Sequence, residues 1–204
     1  MITYPIHETF HSLKGEGAYT GQAMFFIRLA GCNLSCEFCD TDYSETEVLS
    51  IREILDRAER FPGHYIVITG GEPLIHDVIP LVDTLRSESY TVHLETNGTL
   101  DIPPVFDWVA VSPKGGELKE ALFAADEIKF LCGLPDWAEY IKRVEPYVRY
   151  ECQKLLMPIA KATNEPIRTE EDFIQANVDA AMAYCLTHPE FRLCMQLHKV
   201  LHIK

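Results

Sequence analysis

The chain has little positive charge. Against 31 acidic residues it carries 18 lysines and arginines, a formal net charge of −13. Broad attachment to nucleic acid relies on Lys and Arg neutralising phosphates, so no direct nucleic-acid partner is expected. No apolar run approaches the ~18 residues that a membrane helix needs. The N-terminal MITYPIHETF has no basic head before an apolar core. Neither a membrane partner nor a signal peptide is therefore expected, and the expected compartment is the cytoplasm. An even set of cysteines is also missing. There are seven, and in a reducing compartment they argue against a disulfide framework. Repeats, low-complexity tracts and linkers are absent too. Residues 1–204 read as one domain, and their composition, 47% hydrophobic and 24% charged, suffices for a core.

What is present is an alternation of β-rich runs and helical patterns. AMFFIRL (23–29), YIVIT (65–69), TVHLET (91–96), WVAVS (108–112) and EIKFL (127–131) read as strands. VRYECQKLLM (148–157) contains a sixth, and RLCMQL (192–197) offers one more short strand. Ser50 with Glu53 forms a capping box for a helix whose face is Ile51, Ile54, Leu55 and Ala58. Further helices are expected over 78–87, from Pro135-Asp136-Trp137 onward, and over 170–186. Pro103-Pro104 and the stretch from Pro158 to Pro166 read as loops. Strands alternating with helices imply right-handed crossovers and a mostly parallel sheet. About six strands are too few for a closed eight-stranded barrel, so an open or partial α/β barrel is expected. Sites in such folds gather at the C-terminal ends of the strands.

Four motifs fall there. GCNLSCEFCDT follows the first of these strands and holds Cys32, Cys36 and Cys39. Three thiolates in one loop can surround one metal centre. A zinc site with His or Asp as fourth ligand, or three incidental cysteines, are the other readings of that spacing. Zinc more often takes a second distant pair, which is lacking here. Cys132, Cys152, Cys185 and Cys194 are scattered and read as small buried apolar residues. GGEP (Gly70, Gly71, Glu72, Pro73) follows the second strand. It is a turn in one reading; in the other, two glycines let a ligand approach the backbone beside a carboxylate. ETNGT (95–99) and SPK (Ser112, Pro113, Lys114) follow the next two strands. Read singly, Thr96 and Asn97 are turn caps and Lys114 a solvated lysine.

The cysteine spacing, with Phe38 before the last cysteine, resembles the radical S-adenosylmethionine (SAM) superfamily. The GGEP element in the same order strengthens that resemblance. It implies a [4Fe-4S] cluster on Cys32, Cys36 and Cys39, its fourth iron open to SAM. ETFHSLKGEGAYTGQAMFFIRLAGCNLSCEFCDT, IVITGGEPLIHD, ETNGT, SPK, EIKF and RLCMQLHK together resemble the 7-carboxy-7-deazaguanine synthases, over essentially the whole chain. That family has a trimmed, partial radical SAM barrel. The resemblance implies ring contraction of 6-carboxy-5,6,7,8-tetrahydropterin to 7-carboxy-7-deazaguanine with loss of ammonia, in queuosine and 7-deazapurine synthesis.

By matched position it implies SAM contacts at Gly70, Gly71, Glu72, Pro73, Gly98, Ser112, Pro113 and Lys114. Substrate contacts are implied at Leu13, Lys14, Gly15, Glu16 and Thr96, and at Arg28, whose guanidinium suits a carboxylate. Thr41 is implied as a ligand of Mg2+, a hard ion that keeps waters and bridges to a bound molecule. Gln196, His198 and Lys199 resemble residues near the site. The chain departs from the family at Lys14, where Gln is common, and at Met157, where the family reads Gln-Pro. A homodimer and a reducing partner such as a flavodoxin are further expectations. No protein acid or base is assigned. The alternative within the superfamily is an activase that places a glycyl radical on a partner protein. A zinc-stabilised binding module is the non-enzymatic one.

Overall fold

In the computed structural model, which describes residues 2–115, 120–160 and 175–204, every β-rich run joins one sheet. Its strands are β1 (Thr3–Leu13), β2 (Ala23–Leu29), β3 (Glu47–Ser50), β4 (Tyr65–Gly70), β5 (Thr91–Thr96), β6 (Trp108–Val111), β7 (Glu127–Cys132), β8 (Gln153–Pro158) and β9 (Phe191–Leu193). The order is β3-β1-β2-β4-β5-β6-β7-β8-β9. From β2 through β4 to β9 all neighbours are parallel, and β1 pairs antiparallel with both β2 and β3. The expected open, mostly parallel α/β sheet is there. The strands beyond the six are the antiparallel pair β1 and β3 at one edge and β9 at the other.

The helices are α1 (Ile51–Ala58), α2 (Ile79–Ser87), α3 (Trp137–Val144), α4 (Gln175–Thr187) and α5 (Leu197–Leu201). The Ser50 cap of α1 is reciprocal: Glu53 N donates to Ser50 Oγ, and Ser50 N donates to Glu53 Oε2 at 2.8 Å. Asp136 turns into α3 with a φ of 54°. The expected start of the long helix at 170, and the Pro-rich stretch beyond 160, lie outside the described residues. Among the described residues helices are sparse on one side: residues 97–107, between β5 and β6, form none, and a 3-10 turn (Glu120–Ala124) precedes β7.

Strand alternation sorts side chains to two faces. Ile27, Leu29, Ile66 and Ile68 face α1 and α2, packing on Ile54, Leu55, Leu81 and Leu85. Leu94, Val111, Ile128, Phe130 and Leu156 face α3 and α4. Each such side chain contributes about 1.5–3 kcal/mol by burial. Truncating fully buried Leu81 to Ala would cost about 2–5 kcal/mol. The opposite face is concave and carries the other parity. At the N-terminal ends of its strands, the rings of Tyr19, Tyr65, His93 and Trp108 pack edge to face and close it off. At the C-terminal ends it opens.

Candidate active site

The opening is a cavity of about 270 Å³. Its wall contains Cys32, Cys36 and Cys39, which sit on the loop after β2. A turn bond from Cys39 N to Cys36 O (3.1 Å) and one from Leu34 N to Cys32 Sγ (3.4 Å) shape this loop. All three are free thiols. Burial raises the Cys36 thiol, and Lys114 opposes that. Among the described residues no three His, Cys, Asp or Glu groups converge on a single-ion site.

The GGEP loop packs against the cysteine loop. A Cβ on Gly71 would lie 2.5 Å from Gly31 O and 2.6 Å from Cys32 Cβ. This glycine is required by close approach. Glu72 is buried and turned under the loop. Its carboxylate accepts from Thr96 Oγ1 (2.8 Å), Asn97 N (2.7 Å) and Leu74 N (3.1 Å), and so ties the end of β4 to the end of β5. Burial raises its pKa against those three bonds. Gly98 takes a turn at φ 75°, where a Cβ would lie 2.8 Å from Val111 Cγ1.

Below the mouth lies a buried ionic set. Lys129 Nζ donates to Glu16 Oε2 (2.8 Å) and Glu95 Oε2 (2.7 Å). Lys14 pairs with the other oxygen of Glu95. Gln196 Nε2 donates to Glu16 Oε1 (3.0 Å), and Ala18 N to Glu127 Oε2 (2.6 Å). Burial alone would neutralise Glu16, but Lys129, His198 and Lys14 hold its carboxyl well below the usual range. The same three carboxylates, Glu16, Glu95 and Glu127, hold the buried Lys129 ammonium well above its usual value. Burial, and then Glu95, raises Glu127. Glu127 is thus the acid of the set that most readily keeps a proton.

Of the residues singled out in the sequence, the cavity wall brings together Leu13, Lys14, Gly15, Glu16, Arg28, the three cysteines, Thr41, Gly70, Gly71, Thr96, Ser112, Lys114, Gln196, His198 and Lys199. Glu72, Pro73, Gly98 and Pro113 do not line it. Thr41 is half-buried, its hydroxyl 3.5 Å from Asp40 Oδ1, while Asp40 pairs with Lys199. Lys114 Nζ donates to Ser112 Oγ (2.8 Å). Sequence reasoning missed Glu95, Glu127 and Lys129. The signal was available: EIKFL and TVHLET place charges at alternate positions of strands that must be central and buried. An arrangement of thiols at a mouth, cations Arg28 and Lys114 beside it and an ionised Glu16 below can hold a ligand by its acidic and its N–H groups at once.

Comparison with known proteins follows this geometry. The model of the family described as "Radical SAM superfamily" matches residues 26–145. The chain is 36% identical to a 7-carboxy-7-deazaguanine synthase from Synechocystis, over 100% of this chain and 95% of the relative. It is 35% identical to one from Nitratidesulfovibrio vulgaris, over 99% and 100% respectively. The crystal structure of QueE from Escherichia coli superposes with a TM-score of 0.80 at 30% identity, covering 96% of this chain and 95% of that one.

Proposed function

The chain belongs to the 7-carboxy-7-deazaguanine synthase family of the radical SAM superfamily, and we propose that it turns 6-carboxy-5,6,7,8-tetrahydropterin into 7-carboxy-7-deazaguanine and ammonia in the supply of 7-deazapurines such as queuosine. The observation that carries this reading is the joint lining of one cavity by the three thiols, Arg28 and the ionised Glu16. Substrate and product differ by one ammonia, so no oxidant is consumed.

The donor set fits the family's group: three free thiols on one loop, facing a glycine cradle at Gly71. Cys32, Cys36 and Cys39 would hold a [4Fe-4S] cluster, which together with SAM would supply the radical chemistry that activates the pterin at C6. SAM would lie along the residues of these loops that line the cavity, Gly70, Gly71, Ser112 and Lys114. There Glu72 serves as the brace of the loop, which leaves direct contact to the backbone of Gly70 and Gly71. Leu13 to Glu16 and Thr96 hold the pterin. The Glu16 carboxylate accepts from the ring's N–H groups, a charge-assisted bond in a buried setting. Arg28 takes the substrate carboxylate. The Thr41 hydroxyl would offer an oxygen to Mg2+, a hard ion that would help to orient the substrate.

The same reading takes residues 1–204 as one radical SAM core domain of the cytoplasm. Its support is that nine strands share one sheet and that no helix among the described residues is long and apolar enough to cross a membrane. A homodimer and a flavodoxin-like reductant complete it, and light scattering and carrier-driven turnover test them. The decisive experiment is anaerobic turnover of the reconstituted, reduced protein with SAM, Mg2+ and the carboxy-tetrahydropterin. The deazaguanine product is expected by mass spectrometry. Its absence with the cluster intact overturns the proposal.

A further inference from the structure

β1 is not a regular strand. Ile6 lies opposite Leu29 of β2, yet Glu8 lies opposite Arg28, so one extra residue, His7, is taken up between two ladder positions. A regular ladder from Ile6 would set His7 opposite Arg28. It would send Glu8 to the convex face beside Ile27, which is fully buried among aliphatic side chains. A bulge re-aims every side chain after it. Here it turns Glu8 and Phe10 to the concave face and leaves Thr9 on the other, where it accepts from Arg57.

Glu8 does not line the cavity; it stands behind Arg28, which does. Arg28 Nε donates to Glu8 Oε1 at 3.2 Å, and Lys204 Nζ donates to Glu8 Oε2 at 2.5 Å. Both cations lie over the Phe10 ring, at 6.0 and 5.4 Å from its centre. Among the described residues the guanidinium makes no other hydrogen bond, so its two terminal nitrogens are left for a ligand. A carboxylate held on the Nε edge fixes the plane of the fork and leaves the terminal pair for a second carboxylate.

We propose that Glu8, delivered by the bulge at His7 and anchored by Lys204, is a positioning residue that sets the Arg28 guanidinium for bidentate capture of the substrate carboxylate. This rests on the reading of Arg28 given above. An arginine already fixed in plane loses less freedom when it binds, so the acid strengthens capture of an anion despite its like charge. A mere resident counter-ion would act the other way: neutralising it would free Arg28 and tighten binding.

The test is calorimetric binding to the reconstituted, SAM-loaded protein, anaerobic and without reductant. The two ligands are the carboxy-tetrahydropterin and the tetrahydropterin lacking the carboxylate. Glu8→Gln is expected to raise Kd for the first about tenfold and to leave the second within about twofold; on an Arg28→Ala background it adds nothing. Lys204→Ala, at a largely exposed side chain, is expected to raise Kd for the carboxylated ligand about threefold, and keeps the test open if Glu8→Gln folds poorly. An unchanged or lower Kd in Glu8→Gln, or equal losses for both ligands, overturns the positioning role. If Arg28→Ala also leaves Kd unchanged, the reading of Arg28 itself falls. If Arg28→Ala weakens binding and Glu8→Gln does not, only the role of Glu8 falls.

Discussion

His93 makes the fold acid-sensitive in a way that can be worked out beforehand. Its ring sits in the aromatic floor, 4.6 Å from Tyr19 and 5.6 Å from Tyr65, and neither ring nitrogen has a hydrogen-bond partner among the described residues. Burial, and then the Lys14 charge above it, lower its pKa from 6.5 to about 4. The folded ring therefore refuses a proton that the unfolded chain accepts. Above 6.5 both states are neutral and nothing is lost. As pH falls from 6.5 toward 4 the unfolded state binds more protons, so stability must fall with it. At about pH 5, about 1.5 pH units below the unfolded pKa and at about 1.4 kcal/mol per pH unit, the loss is about 2 kcal/mol, rising to about 3 kcal/mol near pH 4. Other groups titrate as well, so the quantity to read is a difference. Urea unfolding at about pH 7.5 and about pH 5, on the parent and on His93→Phe, isolates it. Phe keeps the edge-to-face packing and cannot be protonated. The variant is expected to lose about 2 kcal/mol less than the parent between the two pH values. Equal losses would refute the reasoning, because His93 would then titrate alike in both states.

Other outcomes follow from the site. Lys129→Met strands the carboxylates of Glu16 and Glu95 and should cost about 3–5 kcal/mol in urea unfolding; combined with Glu95→Gln the loss should be less than the sum, and simple additivity would contradict the shared pairing. Gly71→Ala puts a methyl into the backbone of the cysteine loop, so iron and sulfide bound per chain after reconstitution should fall to less than about half, where full loading would show that the two loops need not touch. Thr41→Ala should shift the Mg2+ concentration for half-maximal turnover up about tenfold with SAM affinity unchanged, and an unaltered Mg2+ response would remove Thr41 from the ligand set.

The strands with near-continuous apolar runs, AMFFIRL, YIVIT and WVAVS, were legible because a parallel sheet buries both faces. The capping box at Ser50 located the start of α1. β1 was not legible, for a physical reason. TYPIHETFHSL carries His, Glu and His where a strand pattern wants apolar side chains. Its polar residues are met by partners far along the chain, Glu8 by Arg28 and Lys204, Thr9 by Arg57 and Ser12 by the Lys204 carbonyl, and the bulge at His7 breaks the two-residue period midway. β3 has four residues, too few for any period to show. At the site, the motifs located the rim, since loops at strand ends carry their residues in contiguous blocks. The floor was hidden because Lys14, Glu95 and Lys129 come from three separate strand regions, and only the fold makes them neighbours.

The aromatic floor has a kinetic corollary. Among the described residues Tyr19, Tyr65, His93 and Trp108 pack together across one end of the concave face, so a ligand that enters by the cysteine mouth meets a closed far end. Two molecules that share such a well cannot pass each other. Whatever rests against Glu16 must arrive before, and depart after, whatever rests at the cysteine mouth. Steady-state turnover should then follow a compulsory order, with the deeper product last to leave.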